Sequence, residues 1–168
     1  MGNPGSTLTN LEMLFPAYDG PGYEIAGFFW FQGWNDMIDA KATAEYAANM
    51  AHVIRDVRKG LKGPNLPLVI AQMGVDGDHP NDPIVKFKEA QAAGAALPEF
   101  TGNLVLAKTD VFWDTDAEAV FKKGWREHLD EWRTVGSDWG FHYLGSAKTL
   151  CAIGKACGEA RLALVEKK

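Results

Sequence analysis

Three apolar runs without polar alternation punctuate the chain, and each is followed by a polar stretch and then by residues that repeat at three and four. The first, residues 25–31 (IAGFFWF), turns abruptly polar at Gln32, Gly33, Trp34, Asn35 and Asp36. A run of this kind, β-branched and aromatic, predicts a strand buried on both faces, as in the middle of a parallel sheet. The polar residues then stand past its carboxyl end, where open α/β sheets place their ligands. The second and third runs, residues 66–73 (LPLVIAQM) and 103–109 (NLVLAKT), predict two further strands.

Between the runs the periodicity changes. After a connection over residues 37–43, a helix is predicted to about residue 61, with Tyr46, Met50, Val53, Ile54, Val57 and Leu61 inward and Glu45, Asn49, Arg55, Asp56 and Arg58 outward. Gly60, Gly63 and Pro64 stop it. A second helix starts at about Asp82, with Pro83 in its first turn and Ile84, Phe87, Ala90 or Gln91, and Ala95 as the inner stripe; Pro98 ends it. The loop 110–116 leads to a helix carrying Trp125, Leu129 and Trp132. After the loop 136–145, Ser146 caps a last helix through Leu150, Ile153, Cys157, Ala160 and Leu164. Strand and helix alternate as in an α/β fold with a small parallel sheet and right-handed crossovers. Residues 1–22, rich in Pro and Gly, read as an irregular lead-in, and residues 23–168 as one domain.

Composition narrows the function classes. With 168 residues, 46% of them apolar and 23% charged, the chain is of the globular type. A net charge of −5 argues against nucleic acid as a partner. The basic cluster Arg55, Arg58, Lys59 and Lys62 reads as the solvated end of a helix. No apolar run is long enough to span a membrane, and the first ten residues lack a signal-peptide pattern. Cys151 and Cys157 fall on different faces of one helix, so they read as small core residues without a mutual disulfide.

Of the four histidines, His52 and His128 lie in helical patterns and read as structural or surface residues. His79 stands in DGDHPND, which lacks EF-hand spacing and reads as a solvated turn, so no metal site is expected. His142 stands in GSDWGFHYLGSAKT, a Gly-rich aromatic loop, with Asp138 four residues upstream. A carboxylate beside a loop histidine sets its tautomer and raises its basicity, as a general base requires. Gly33-Trp34-Asn35-Asp36, directly after a buried strand, offers an Asn amide to a developing oxyanion and a glycine that brings the backbone close.

WFQGWND after a strand, EYAANMAHVIRDVRKGLKGPNLPLVIAQMG after it, and the closing FHYLGSAKTLCAIGKACGEA together resemble the sialate O-acetylesterase-type carbohydrate esterases of the SGNH hydrolase superfamily. The resemblance runs from about Tyr23 to Ala160. It implies a three-layer α/β/α sandwich, flavodoxin-like in order, and a serine esterase that removes acetyl groups from acetylated carbohydrates without a cofactor. Gly33 and Asn35 then match the oxyanion block, with Gln32 beside it, and His142 matches the catalytic histidine. Trp34, Trp139 and Tyr143 become aromatic walls for the sugar. The family commonly sets its acidic partner three residues before the histidine, where this chain has Trp139; Asp138, one residue earlier, is the nearest substitute. The family's GQSN-like nucleophile block has no counterpart, and Ser6, Ser137 and Ser146 all lack the setting of a nucleophile. The chain therefore resembles the C-terminal part of such an enzyme, or a non-catalytic sugar-binding relative of it. The resemblance also leaves the strand at 25–31 without its usual neighbour, so a homodimer, a second chain or residues 1–22 are expected to cover that edge.

Overall fold

The computed structural model describes residues 25–166. Each apolar run holds a strand: β1 Phe28–Trp30, β2 Leu68–Ala71 and β3 Leu104–Ala107. They form one parallel sheet in the order β1-β2-β3, with Phe28 beside Leu68 and Leu68 beside Leu104. The helices are α1 Trp34–Met37, α2 Ala40–Gly60, α3 Asp82–Ala95, α4 Thr115–Lys122, α5 Leu129–Val135 and α6 Ala147–Glu166. The fold is thus mixed α/β, with a small parallel sheet and more helix than strand.

The strand buried on both faces is β2 rather than β1. Leu68, Val69, Ile70 and Ala71 are 2% exposed or less, whereas Phe29 is 51% exposed. The reason is topological. β2 has a strand at each side, and α6 packs chiefly against β2 and β3. Among the described residues β1 has one neighbour, so only its Phe28 and Trp30 face joins the core. Residues 1–22, expected as one cover for this edge, lie outside the described residues.

Further expectations are corrected by packing. Much of the connection 37–43 is helical, because Asp39 caps α2 by accepting from the backbone N–H groups of Lys41 and Ala42 at 2.8 and 3.1 Å. The buried stripe of α3 is Ile84, Phe87, Gln91 and Gly94, with Ala90 and Ala95 partly buried against the core beside it. Gly94 lets α2 approach: a Cβ there would stand 2.5 Å from Met50 Cε. Gln91, fully buried, accepts from the Met73 N–H at 2.8 Å. The helix expected around Trp125 is two helices, α4 and α5, since Gly124 takes a φ of +102° that ends the first. Leu150 is 45% exposed and Cys151 is exposed, while Thr149, Ile153 and Cys157 form the buried stripe of α6.

Arg58 is buried, not solvated. Its guanidinium donates to the carbonyls of Leu66 and Asn103 and to Asn103 Oδ1 at 2.6 Å, and it lies over the Phe100 ring. It thereby satisfies the Leu66 carbonyl ahead of β2 and adds a second donor to the Asn103 carbonyl, which already accepts from the Leu68 N–H at 3.0 Å. Burial pulls this guanidinium below its usual value, against the pull of the Glu99 carboxylate.

Candidate active site

Where β1 ends, Gly33 makes the turn that opens the site. Its φ of +151° and its position, where a Cβ would stand 2.3 Å from Phe87 Cζ, exclude a side chain. The turn swings Trp34, Asn35 and Asp36 into α1 and leaves Gln32 above α2. A polar network pins it from below. Trp30 Nε1 donates to Tyr46 Oη at 3.1 Å, and that hydroxyl faces both the backbone and the side-chain oxygen of Gln32 at 3.3 and 3.2 Å. Burial raises the Tyr46 hydroxyl above its ordinary value, which keeps it a neutral donor. The Gln32 amide also donates to Asp36 Oδ2, closing the loop on itself.

The second part of the site comes from residues 136–146, which fold by bonding to themselves. Leu144 O accepts from the N–H groups of Ser137 and Asp138, and Leu144 N–H donates to Trp139 O at 3.0 Å. Tyr143, Leu144 and Gly145 run consecutively at φ near +54°, +59° and +60°. A left-handed stretch of L-residues costs roughly 1–2 kcal/mol per residue. Burial offsets it here: Leu144 is 1% exposed, and Tyr143 packs against Phe31 and Trp113. The Tyr143 hydroxyl accepts from Gly74 N–H at 3.0 Å, which ties the loop to the carboxyl end of β2.

This fold of the loop brings Asp138 Oδ2 to 2.8 Å from His142 Nδ1. A carboxylate only accepts, so Nδ1 is the donor in this bond, and in the neutral ring that tautomer leaves the lone pair on Nε2. Asp138 also accepts from Trp139 N–H at 2.8 Å. That bond first, and the imidazole second, hold its carboxyl below the usual carboxylate range. The pair is open to solvent, with the histidine side chain 61% exposed.

Between the two parts lies a cavity of about 330 Å³. Ala71, Met73 and Val75 line it from the sheet side, Gln32, Gly33 and Trp34 from one wall, and Phe141, His142 and Tyr143 from the other. The sequence-predicted residues Gln32, Gly33, Trp34, His142 and Tyr143 are therefore brought together. Asp138 stands behind His142, outside the cavity lining. Asn35 is exposed on α1 and does not line the cavity, and Trp139 lies one ring farther out, parallel to Phe141 at 6.5 Å. Tyr143 contributes its ring rather than its hydroxyl, which is used within the fold.

Phe141 is the residue that sequence reasoning passed over. It touches Trp34 at 5.5 Å, Trp139 at 6.5 Å and the imidazole of His142 edge-on at 4.5 Å. The only signal for it was its place in the aromatic run beside His142.

Neither described serine stands as a nucleophile. Ser146 is fully buried, donates to Asp114 Oδ2 at 2.6 Å and receives the Thr149 N–H as the cap of α6. Ser137 donates to Gly145 O. His79 and Asp78 are almost fully exposed, and among the described residues no cluster of three metal-ligating side chains occurs.

A family model described as carbohydrate esterase, sialic acid-specific acetylesterase, matches residues 11–119, a span that holds Gly33 and Asn35 and ends ahead of Asp138 and His142. An Arabidopsis thaliana protein described as a probable carbohydrate esterase is 33% identical over 70 residues, which cover 42% of this chain. The matched part spans about a quarter, 25%, of the length of that relative. No solved structure matches the chain significantly.

Proposed function

Because the chain belongs to the sialic acid-specific acetylesterase family of carbohydrate esterases, we propose that it serves the removal of acetyl groups from acetylated sugars. The fold behind this reading is an SGNH-type three-layer α/β/α sandwich, and the burial of β2 on both faces supports it. One observation carries the chemistry: Asp138 holds His142 at 2.8 Å through Nδ1, while the imidazole lines the same cleft as Gly33.

In the proposed reaction, His142 Nε2 takes the proton of an attacking hydroxyl as its oxygen bonds to the acetyl carbon. The Gly33 backbone N–H, at the cleft, faces the oxyanion; Asn35 is exposed on α1 in this structure and adds its amide only on rotating inward with substrate bound. Collapse expels the sugar alkoxide, which receives the proton from His142. Water then releases acetate by the same steps. The attacking hydroxyl reaches the cleft from outside residues 25–166, and the solvent-open dyad is consistent with a site that a further segment covers. Trp34, Trp139 and Phe141 supply apolar faces for sugar rings.

The test is hydrolysis of p-nitrophenyl acetate and of an acetylated xylo-oligosaccharide by the wild type and by His142→Ala. Turnover that is lost in the variant is the expected result; equal rates in both refute the assignment. Removing an oxyanion donor by Asn35→Ala is expected to cost on the order of 10² to 10³ in rate. The placement of Ser137 and Ser146 favours a second reading, a sugar-binding relative without turnover. Calorimetric binding of the same oligosaccharide without acetate release selects that one.

A further inference from the structure

The aromatic wall does not end at the cleft. From His142 it passes through Phe141 to Trp139, and Trp139 meets Trp125 edge-on at 5.9 Å. Over these two indoles lies Arg126, its guanidinium carbon 4.4 Å from the Trp125 ring centre and 5.1 Å from that of Trp139. Its neighbours on the same stretch are all paired: Lys122 with Glu118, Lys123 with Glu131 and Arg133 with Asp130. Arg126 has no carboxylate partner among the described residues and is exposed. In a chain of net charge −5, it is an unspent cation beside the cleft.

Stacking matters because it changes what this cation can do. With its guanidinium carbon close to two indole centres, Arg126 has surrendered some of its rotamer freedom, and as an exposed side chain it keeps a planar N–H fork that fits a carboxylate with two parallel hydrogen bonds. The exposed indole beside it offers an apolar face to a sugar ring. Cation and platform stand beyond Phe141, outside the residues that line the cavity beside His142, so they face a neighbouring unit of a bound chain rather than the acetylated one.

We propose that Arg126, with Trp125 and Trp139, forms a subsite for the carboxylate of an acidic sugar unit in the same glycan chain. Resting on the carbohydrate reading above, this gives the substrate class as an acidic oligosaccharide in which the acetylated unit has a uronate neighbour. The alternative role for Arg126 is simple cover, its stem shielding the indoles from water. The two roles make opposite statements about charge and about the planar fork.

The test is binding without turnover, followed by tryptophan fluorescence at low salt. An unacetylated oligogalacturonate is compared with a neutral xylo-oligosaccharide of the same length, on the wild type, Arg126→Ala and Arg126→Lys. The subsite predicts tighter binding of the acidic chain, weakened about 5- to 10-fold by Arg126→Ala, as one exposed bidentate ion pair warrants. It also predicts only partial rescue by lysine and no change for the neutral chain. Equal affinity for the two chains, no binding of either, or an Arg126→Ala protein that binds the acidic chain as the wild type does overturns it. Free galacturonic acid competing as strongly as the oligomer overturns the assignment to a chain subsite. Because no ester is cleaved, failure here leaves the His142 hydrolysis test standing, and failure of that test leaves this one readable.

Discussion

Replacing Gly33 with alanine puts a methyl group 2.3 Å from Phe87 Cζ and 2.4 Å from Cε1. The ring has nowhere to go: Phe87 is fully buried and packs edge-on against Tyr46 at 4.4 Å. Overpacking of this kind costs about 1–3 kcal/mol. A side chain at φ +151° adds a backbone penalty of about 1–3 kcal/mol. The sum, about 2–6 kcal/mol, is a large share of the roughly 5–15 kcal/mol that holds a domain folded. Urea unfolding followed by tryptophan fluorescence reads it directly, as a midpoint lowered on the order of 1–3 M at an ordinary slope of about 1–3 kcal/mol per M. A second background separates the two causes. In Phe87→Ala the clash is gone, so Gly33→Ala there is expected to cost only the backbone part. Equal losses in both backgrounds would show that the ring is not what excludes a side chain, and a loss below about 0.5 kcal/mol in the wild type would refute the account of this turn altogether.

Ser146→Ala removes both a helix cap, worth about 1 kcal/mol, and a charge-assisted bond to a buried carboxylate, worth about 1.5–3 kcal/mol. A loss of about 2–4 kcal/mol in a denaturant melt is expected, and an unchanged midpoint would refute it. The same bond sets a pH dependence. Burial alone would raise the Asp114 carboxyl, but the Ser146 hydroxyl, the Ala117 and Asp116 N–H groups and Lys148 outweigh it and hold it below its ordinary value. Its stabilising contribution is therefore complete above about pH 4 and is lost as pH falls through the depressed folded-state value. Acid titration of stability should show a shallower decline in Ser146→Ala than in the wild type, and parallel curves would count against the linkage. Among the described residues β1 has no strand on its outer side and Phe29 is 51% exposed, which leads us to expect self-association through that edge. Light scattering should show a concentration-dependent dimer that Phe29→Lys abolishes; a monomer at every concentration would sink it.

Part of the site was legible in the chain because it depends on near neighbours. The spacing of Asp138 and His142 keeps a carboxylate near a loop imidazole in the chain, and the polar switch at Gln32 marks the end of a strand. The three apolar runs likewise announced three strands, and their alternation with three-to-four repeats announced a parallel sheet, since both periods are local consequences of backbone geometry. Asp39 as the cap of α2 was readable in the same way and was overlooked.

Which strand lies in the middle was not legible, because β1 and β2 are equally apolar and burial depends on what stands beside each. Arg58 looked solvated for the same reason: its partners, Leu66 and Asn103, belong to strand entrances far along the chain. The left-handed turn at Tyr143, Leu144 and Gly145 runs against local preference and persists because Leu144 and Tyr143 are buried. The sequence by itself thus determined the three strands, the long helices between and after them and their order, and proposed the chemistry of Asp138 and His142. Only the tertiary structure decided that Gly33 and His142 share one cleft, that Phe141 joins it to Trp139, and that the Arg126 guanidinium sits beside both Trp125 and Trp139, because such contacts depend on distant segments meeting and leave no period in the chain.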